Sequence, residues 1–189
     1  MTVTEVAPGL WRWTAPHPEW QEGQGWEQEV GCVYYEAAGA TVLIDPLVPV
    51  EAERERFFEA LDRDVDRRGA PVTILLTCTW HERSAAELAE RYGAGDSPPA
   101  GVEAFVVPAI EETLWWLPEH AALVAGDVLL GAPDGIRMCP DSWLAGQASP
   151  ASIRDALRPL LDLPVERILV SHGEPVLEGG LAALQRALA

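Results

Sequence analysis

LLTCTWHER, residues 75–83, begins as the end of an apolar run and finishes against the start of a helix. The residues from Val72 to Thr77 are mostly apolar at consecutive positions, which suits a strand covered on both faces. Ser84 followed by Glu87 has the spacing of a capping box. Ala85, Leu88, Ala89 and Tyr92 then form an apolar stripe, and Gly93 supplies a C-terminal stop. Between strand and helix stand Cys78, Trp80, His81, Glu82 and Arg83, five side chains with chemistry to offer.

Outward from this segment, further runs read as strands: Leu10 to Trp13, Cys32 to Tyr35, Thr41 to Ile44, Ala104 to Val107, Leu114 to Leu117, Ala122 to Leu130 and Arg167 to Val170. Turn-like breaks at 37–40 and 118–120 predict two antiparallel hairpins. The stretch from Glu51 to Arg68 is an amphipathic helix with Phe57, Phe58, Leu61 and Val65 on one face, and its spacing predicts the pairs Glu59–Arg63 and Asp64–Arg68. Ser149 and Pro150 open a third helix, which Pro159 ends or kinks, and Leu181, Leu184 and Leu188 mark a fourth. Two irregular stretches, WQEGQGW at 20–26 and the long connection from Gly131 to Ala148, are placed to border a site.

The 189 residues suit one domain, 1–189, with a sizeable core. A net charge of -17 sets aside nucleic acid and anionic membrane surfaces as partners. No apolar run approaches the ~20 residues of a membrane span and no secretory signal is visible, so a cytoplasmic protein is expected. Cys32, Cys78 and Cys139 are odd in number and widely spaced, which predicts reduced thiols and neither a disulfide framework nor a zinc ribbon.

Four segments in order, VLIDP at 42–46, LLTCTWHER at 75–83, VAGD at 124–127 and VSHGEPV at 170–176, resemble the metallo-β-lactamase superfamily. The resemblance implies an α/β fold, a four-layer αββα sandwich of two mixed β-sheets flanked by helices, with metal at the strand ends. Carried over one position at a time, Thr77 matches the motif threonine. Cys78 stands where the first histidine would be, Trp80 where the second would be, Glu82 for the aspartate and Arg83 for the third histidine. A further histidine expected between Ala104 and Thr113 is absent, with Pro108 the nearest aligned position, while Asp127 and His172 match the bridging aspartate and the last histidine.

By the same resemblance, the first metal position is offered a thiol, an indole without a lone pair for a metal, and a proline, so no metal or other cofactor is expected there. The second keeps Glu82, Asp127 and His172, a set able to hold one Zn, Mn or Fe ion. Trp80 is expected to point inward and be buried where the first metal would sit. Arg83 is expected to pair with Asp127 in place of an ion.

Beside these readings stand blander ones. His172 and Asp127 could be a hydrogen-bonded strand-end histidine and a capping aspartate. Asp45 is expected to fix a turn and Cys78 to be an inert core thiol, and His81, at a variable position of the motif, is expected to face solvent or line the site. Three functions follow. One is a superfamily member without two-metal hydrolase activity that keeps a cleft for a small-molecule ligand. Another is a hydrolase of ester- or thioester-type bonds using one ion on Glu82, Asp127 and His172. The third is an interaction module forming a homodimer through exposed tryptophans.

Overall fold

The computed structural model describes residues 1–144, 146 and 148–189. These build the α/β class the sequence predicts, with two mixed sheets, a two-stranded ribbon and, among the described residues, four α-helices. The chain divides into two compact units, residues 1–76 with 80–101, and residues 77–79 with 102–189.

The first unit is a sheet of β1 (Thr2–Ala7), β2 (Leu10–Pro16), β3 (Glu29–Ala37), β4 (Ala40–Ile44) and β5 (Val72–Leu75), in that order. The predicted hairpin at 37–40 is the antiparallel joint of β3 and β4. β4 and β5 are parallel, a pairing that needs a crossover, and α1 (Arg54–Arg68) supplies it. Gly69, in the left-handed region at φ 58°, closes α1. Phe57 and Leu61 of α1, with Leu88 of α2 (Ala85–Tyr92), pack on Trp13, Val30, Leu43, Val72 and Ile74. β1 has no counterpart in the predicted strands, because its residues are mostly exposed and carry no apolar run.

Two local expectations fail in this unit. The Glu59–Arg63 and Asp64–Arg68 pairs do not form among the described residues: Arg67 and Arg68 reach instead to Glu36 at the end of β3, and Asp64 is taken by Arg67. The capping box at Ser84 is not made either. Its hydroxyl accepts from Val48 N at 2.9 Å and its own N–H donates to Pro46 O at 3.1 Å, so Ser84 ties the turn after β4 to the start of α2.

The second unit is a sheet in the order β11-β8-β7-β6, from β6 (Glu103–Val107), β7 (Glu112–Leu117), β8 (Ala122–Ala125) and β11 (Arg167–Val170), with β11 parallel to β8. The hairpin predicted at 118–120 joins β7 and β8. α3 (Pro150–Leu157) is capped as predicted, Ser149 Oγ accepting from Ser152 N at 3.1 Å, and α4 (Gly180–Ala187) follows the last strand. Ile153 and Leu157 of α3 and Ala183 and Leu184 of α4 share a core with Leu114, Trp116, Leu123 and Ile168.

The run predicted as one strand from Ala122 to Leu130 is two: β8 stops at Ala125 and β9 (Leu129–Ala132) begins after a turn. The cause is Glu112, whose carboxylate takes the amides of residues 126–128 and so removes them from any sheet ladder. β9 pairs with β10 (Gly135–Met138), so part of the connection predicted from Gly131 to Ala148 is a hairpin; Ala145 and Gln147 of that connection lie outside the described residues. Among the described residues no helix is long and apolar enough to cross a membrane.

Candidate functional site

In the first unit the chemistry gathers where β4 ends. Asp45 sits in the left-handed region at φ 48°, a conformation aspartate tolerates better than most residues, and its N–H donates to Leu75 O at 3.0 Å. Its carboxylate meets the imidazole of His81, Nδ1 to Oδ2 at 2.9 Å, with both side chains buried. His81 is 4% exposed, so the solvent-facing alternative does not describe it. Asp45 does what its turn position suggested and, in addition, holds this ring.

Trp80 corrects an expectation: it is 55% exposed, where the motif alignment predicts a buried indole. Thr79–His81 forms a turn of 3₁₀ helix instead of continuing the strand. Such a turn rotates ~120° per residue, so the in-and-out alternation of a strand is lost, and the inward position passes from Trp80 to His81. Glu82 is exposed. Arg83 has φ 39°, and its Nη1 donates to Gly31 O at 3.0 Å and to Asp45 O at 2.9 Å, tying the strand β3 to the end of β4. Next to it the buried thiol of Cys32 accepts from Leu47 N; burial pushes that thiol's pKa up, against the opposing pull of the Arg83 charge.

The loop at 20–26 closes on itself. Trp20 Nε1 donates to Trp26 O at 2.8 Å, His17 stacks edge-on against Trp26, and His17 N donates to Gln28 O at the loop's base.

In the second unit the chemistry gathers around Asp127. His172 Nε2 lies 3.2 Å from Asp127 Oδ1, with His172 buried and Asp127 partly open. Cys78 Sγ and a carboxylate oxygen of Asp127 lie within 4.8 Å of each other. Cys78 is buried beside Thr77, whose Oγ1 is 3.8 Å from the sulfur. Trp143 meets the His172 ring edge-on at 5.9 Å.

Two backbone features hold this cluster. Glu112 is completely buried, and its carboxylate accepts from Gly126 N at 3.1 Å, Asp127 N at 3.0 Å and Val128 N at 2.8 Å. Three successive amides turned toward one anion fix the direction in which Asp127 leaves the chain. The turn carrying His172 is held by Gly131, whose N–H donates to His172 O at 2.9 Å; a Cβ on Gly131 would stand 2.4 Å from Glu174 N, so only glycine fits. The field of Glu112 and Asp127 adds to burial in pushing the Cys139 thiol up to about 11.

The sequence names Asp127 and His172, which lie 3.2 Å apart, but does not single out Glu112. Its signal is an acidic residue opening the mostly apolar strand ETLWWL, which is costly in a core unless the charge is satisfied.

No family model and no curated protein matches the chain. Solved structures do. A metallo-β-lactamase from Erythrobacter litoralis is similar with a TM-score of 0.58 at 16% identity, over 98% of this chain and 89% of that one. One from Pontibacter korlensis gives 0.53 at 16% identity, over 99% and 98%. The flavodiiron protein from Giardia intestinalis gives 0.59 at 13% identity, over 100% of this chain and 58% of that one.

Proposed function

We propose, from the premise that the chain has the metallo-β-lactamase fold, that it is a hydrolase of ester- or thioester-type bonds that works with one metal ion and without two-metal chemistry. The observation that carries this is the placement of Asp127, with His172 Nε2 at 3.2 Å and Cys78 Sγ within 4.8 Å of its carboxylate. A thiolate, a carboxylate and an imidazole are a donor set that zinc accepts, so the residues present fit such an ion. Cys78 takes the place that the exposed Glu82 was given in the sequence reading. When bound, the ion would supply a Lewis acid and lower the pKa of water.

The chain's own residues do the rest. Glu112 orients Asp127 through its amide, the Gly131 N–H holds the His172 turn, and the Trp143 edge restricts the imidazole ring. Partial exposure of Asp127 gives a substrate a way in, while burial of Cys78 and His172 limits water around them.

The test is zinc titration of chelator-treated protein by calorimetry, followed by hydrolysis of p-nitrophenyl acetate and an acyl thioester. One equivalent of zinc and hydrolysis that follows zinc occupancy are expected. A second reading, a non-catalytic member that binds a small molecule, draws on the direct approach of His172 Nε2 to Asp127 Oδ1 at 3.2 Å, an ion-pair distance reached without an ion between them. No zinc bound at a Kd of about 100 μM or tighter would reject the hydrolase in its favour.

A further inference from the structure

The first unit contains a cavity of about 240 Å³ between its first three strands and α1. Its origin is legible in the register. Trp11 and Trp13 lie on one face of β2, and Tyr34 stands opposite Trp11 on β3. α1 faces them with Phe57, Ala60 and Leu61, a stripe at i, i+3 and i+4, and the small side chain of Ala60 leaves the gap unfilled. Trp11 meets Tyr34 edge-on at 5.4 Å, and Trp13 meets Phe57 at 5.8 Å, so four aromatic rings line the space. The polar ends of two of these rings are used elsewhere, Trp13 Nε1 on Leu47 O and Tyr34 Oη on Glu36. The walls are therefore apolar.

The rim carries charge, and the ion pairs sort it. The Met1 ammonium is paired with Glu53 at 2.6 Å, and Asp64 with Arg67 at 3.5 Å. Arg63, also at the rim, has no ion-pair partner among the described residues. A cavity of about 150 Å³ accommodates one benzene ring, so this one has room for a ring system of up to two fused rings. At a net charge of -17 each further negative charge on a ligand adds repulsion, which favours a single anionic group.

We propose that this cavity is a binding site for small aromatic monocarboxylates, the rings held among Trp11, Trp13, Tyr34 and Phe57 and the carboxylate on Arg63. It is separate in its residues from the Cys78, Asp127 and His172 cluster and does not rest on the hydrolase reading.

The probe is 2-naphthoate, compared with neutral 2-naphthamide and cationic 2-naphthylmethylammonium, titrated into the full chain by calorimetry and by ¹⁵N–¹H spectra of the indole N–H groups. Saturable one-to-one binding of naphthoate, with shifts at the Trp11 and Trp13 indoles, is the expected result. Arg63→Gln, an exposed change, should weaken naphthoate about fivefold and leave naphthamide unchanged. Ala60→Phe should fill the space and abolish binding of both. Naphthamide or the ammonium binding as tightly as naphthoate would overturn the proposal, as would binding that shifts other indoles, or no saturable binding up to 5 mM. Should Ala60→Phe fail to fold, the indole shifts and Arg63→Gln still decide the outcome.

Discussion

The residues that resemble the metallo-β-lactamase motif are used differently in the two units. In the first unit, two side chains of the motif segment hold the backbone together, Arg83 by binding two carbonyls and His81 by binding Asp45, while Trp80 and Glu82 face outward. In the second unit, Asp127 has His172 Nε2 at 3.2 Å and Cys78 Sγ within 4.8 Å of its carboxylate, and its own amide is fixed by Glu112. In the first unit an arginine satisfies two carbonyls, and in the second the amides of residues 126–128 close on Glu112 and fix the chain at Asp127.

Substitutions in the two units should differ in what they change. The largest effect is expected at the cluster. Asp127→Asn and His172→Ala should each weaken zinc at least a hundredfold by calorimetry, whereas Glu82→Gln should change the affinity less than twofold. Equal losses at Glu82 would erase the distinction between the two regions. Next, Glu112→Ala should destabilise the fold by about 3 kcal/mol in urea titration, because three amides lose a charged acceptor inside the core. Arg83→Met should cost about 2 kcal/mol through Gly31 O and Asp45 O, with the zinc affinity held within twofold. If Arg83→Met instead raises zinc affinity markedly, its role reaches beyond the backbone.

The smallest effect is one of pH in the first unit. The hydrogen bond from Arg91 holds the Asp62 carboxyl below its usual range, and Tyr92 adds a second bond. A depressed carboxylate pKa contributes stability that is present above its unfolded value and lost as pH falls through the folded one. Asp62→Asn should therefore lower the melting temperature slightly at neutral pH and leave it unchanged at pH values below the folded pKa, so that the acid limb of the profile is flatter.

Much of the fold was legible because its signals are local. The apolar runs at Thr41 to Ile44 and Arg167 to Val170, the Ser149–Pro150 cap and the breaks at 37–40 and 118–120 each announce an element without reference to the rest of the chain. The predicted strand from Ala122 to Leu130 was misread because what interrupts it is a carboxylate at Glu112, fourteen residues before Gly126. The site was half legible for a related reason. Asp127 and His172 each stand two residues beyond a strand and align with the motif, but a one-residue change of facing around Trp80 and His81 depends on a 3₁₀ turn, which apolar periodicity does not encode. Ser84 shows the same limit, a residue with a capping pattern whose hydroxyl answers to Val48 instead.

Glu112 can also be regarded as a ligand that never leaves. The amides at 126–128 form a receptor for a carboxylate, and the chain fills it with one of its own, tethered through β7. Cutting the tether by shortening the side chain does not abolish the receptor; it empties it. A Glu112→Gly protein would then owe part of its stability to whichever small carboxylate its buffer contains, and acetate concentration would become a dial on the folding equilibrium.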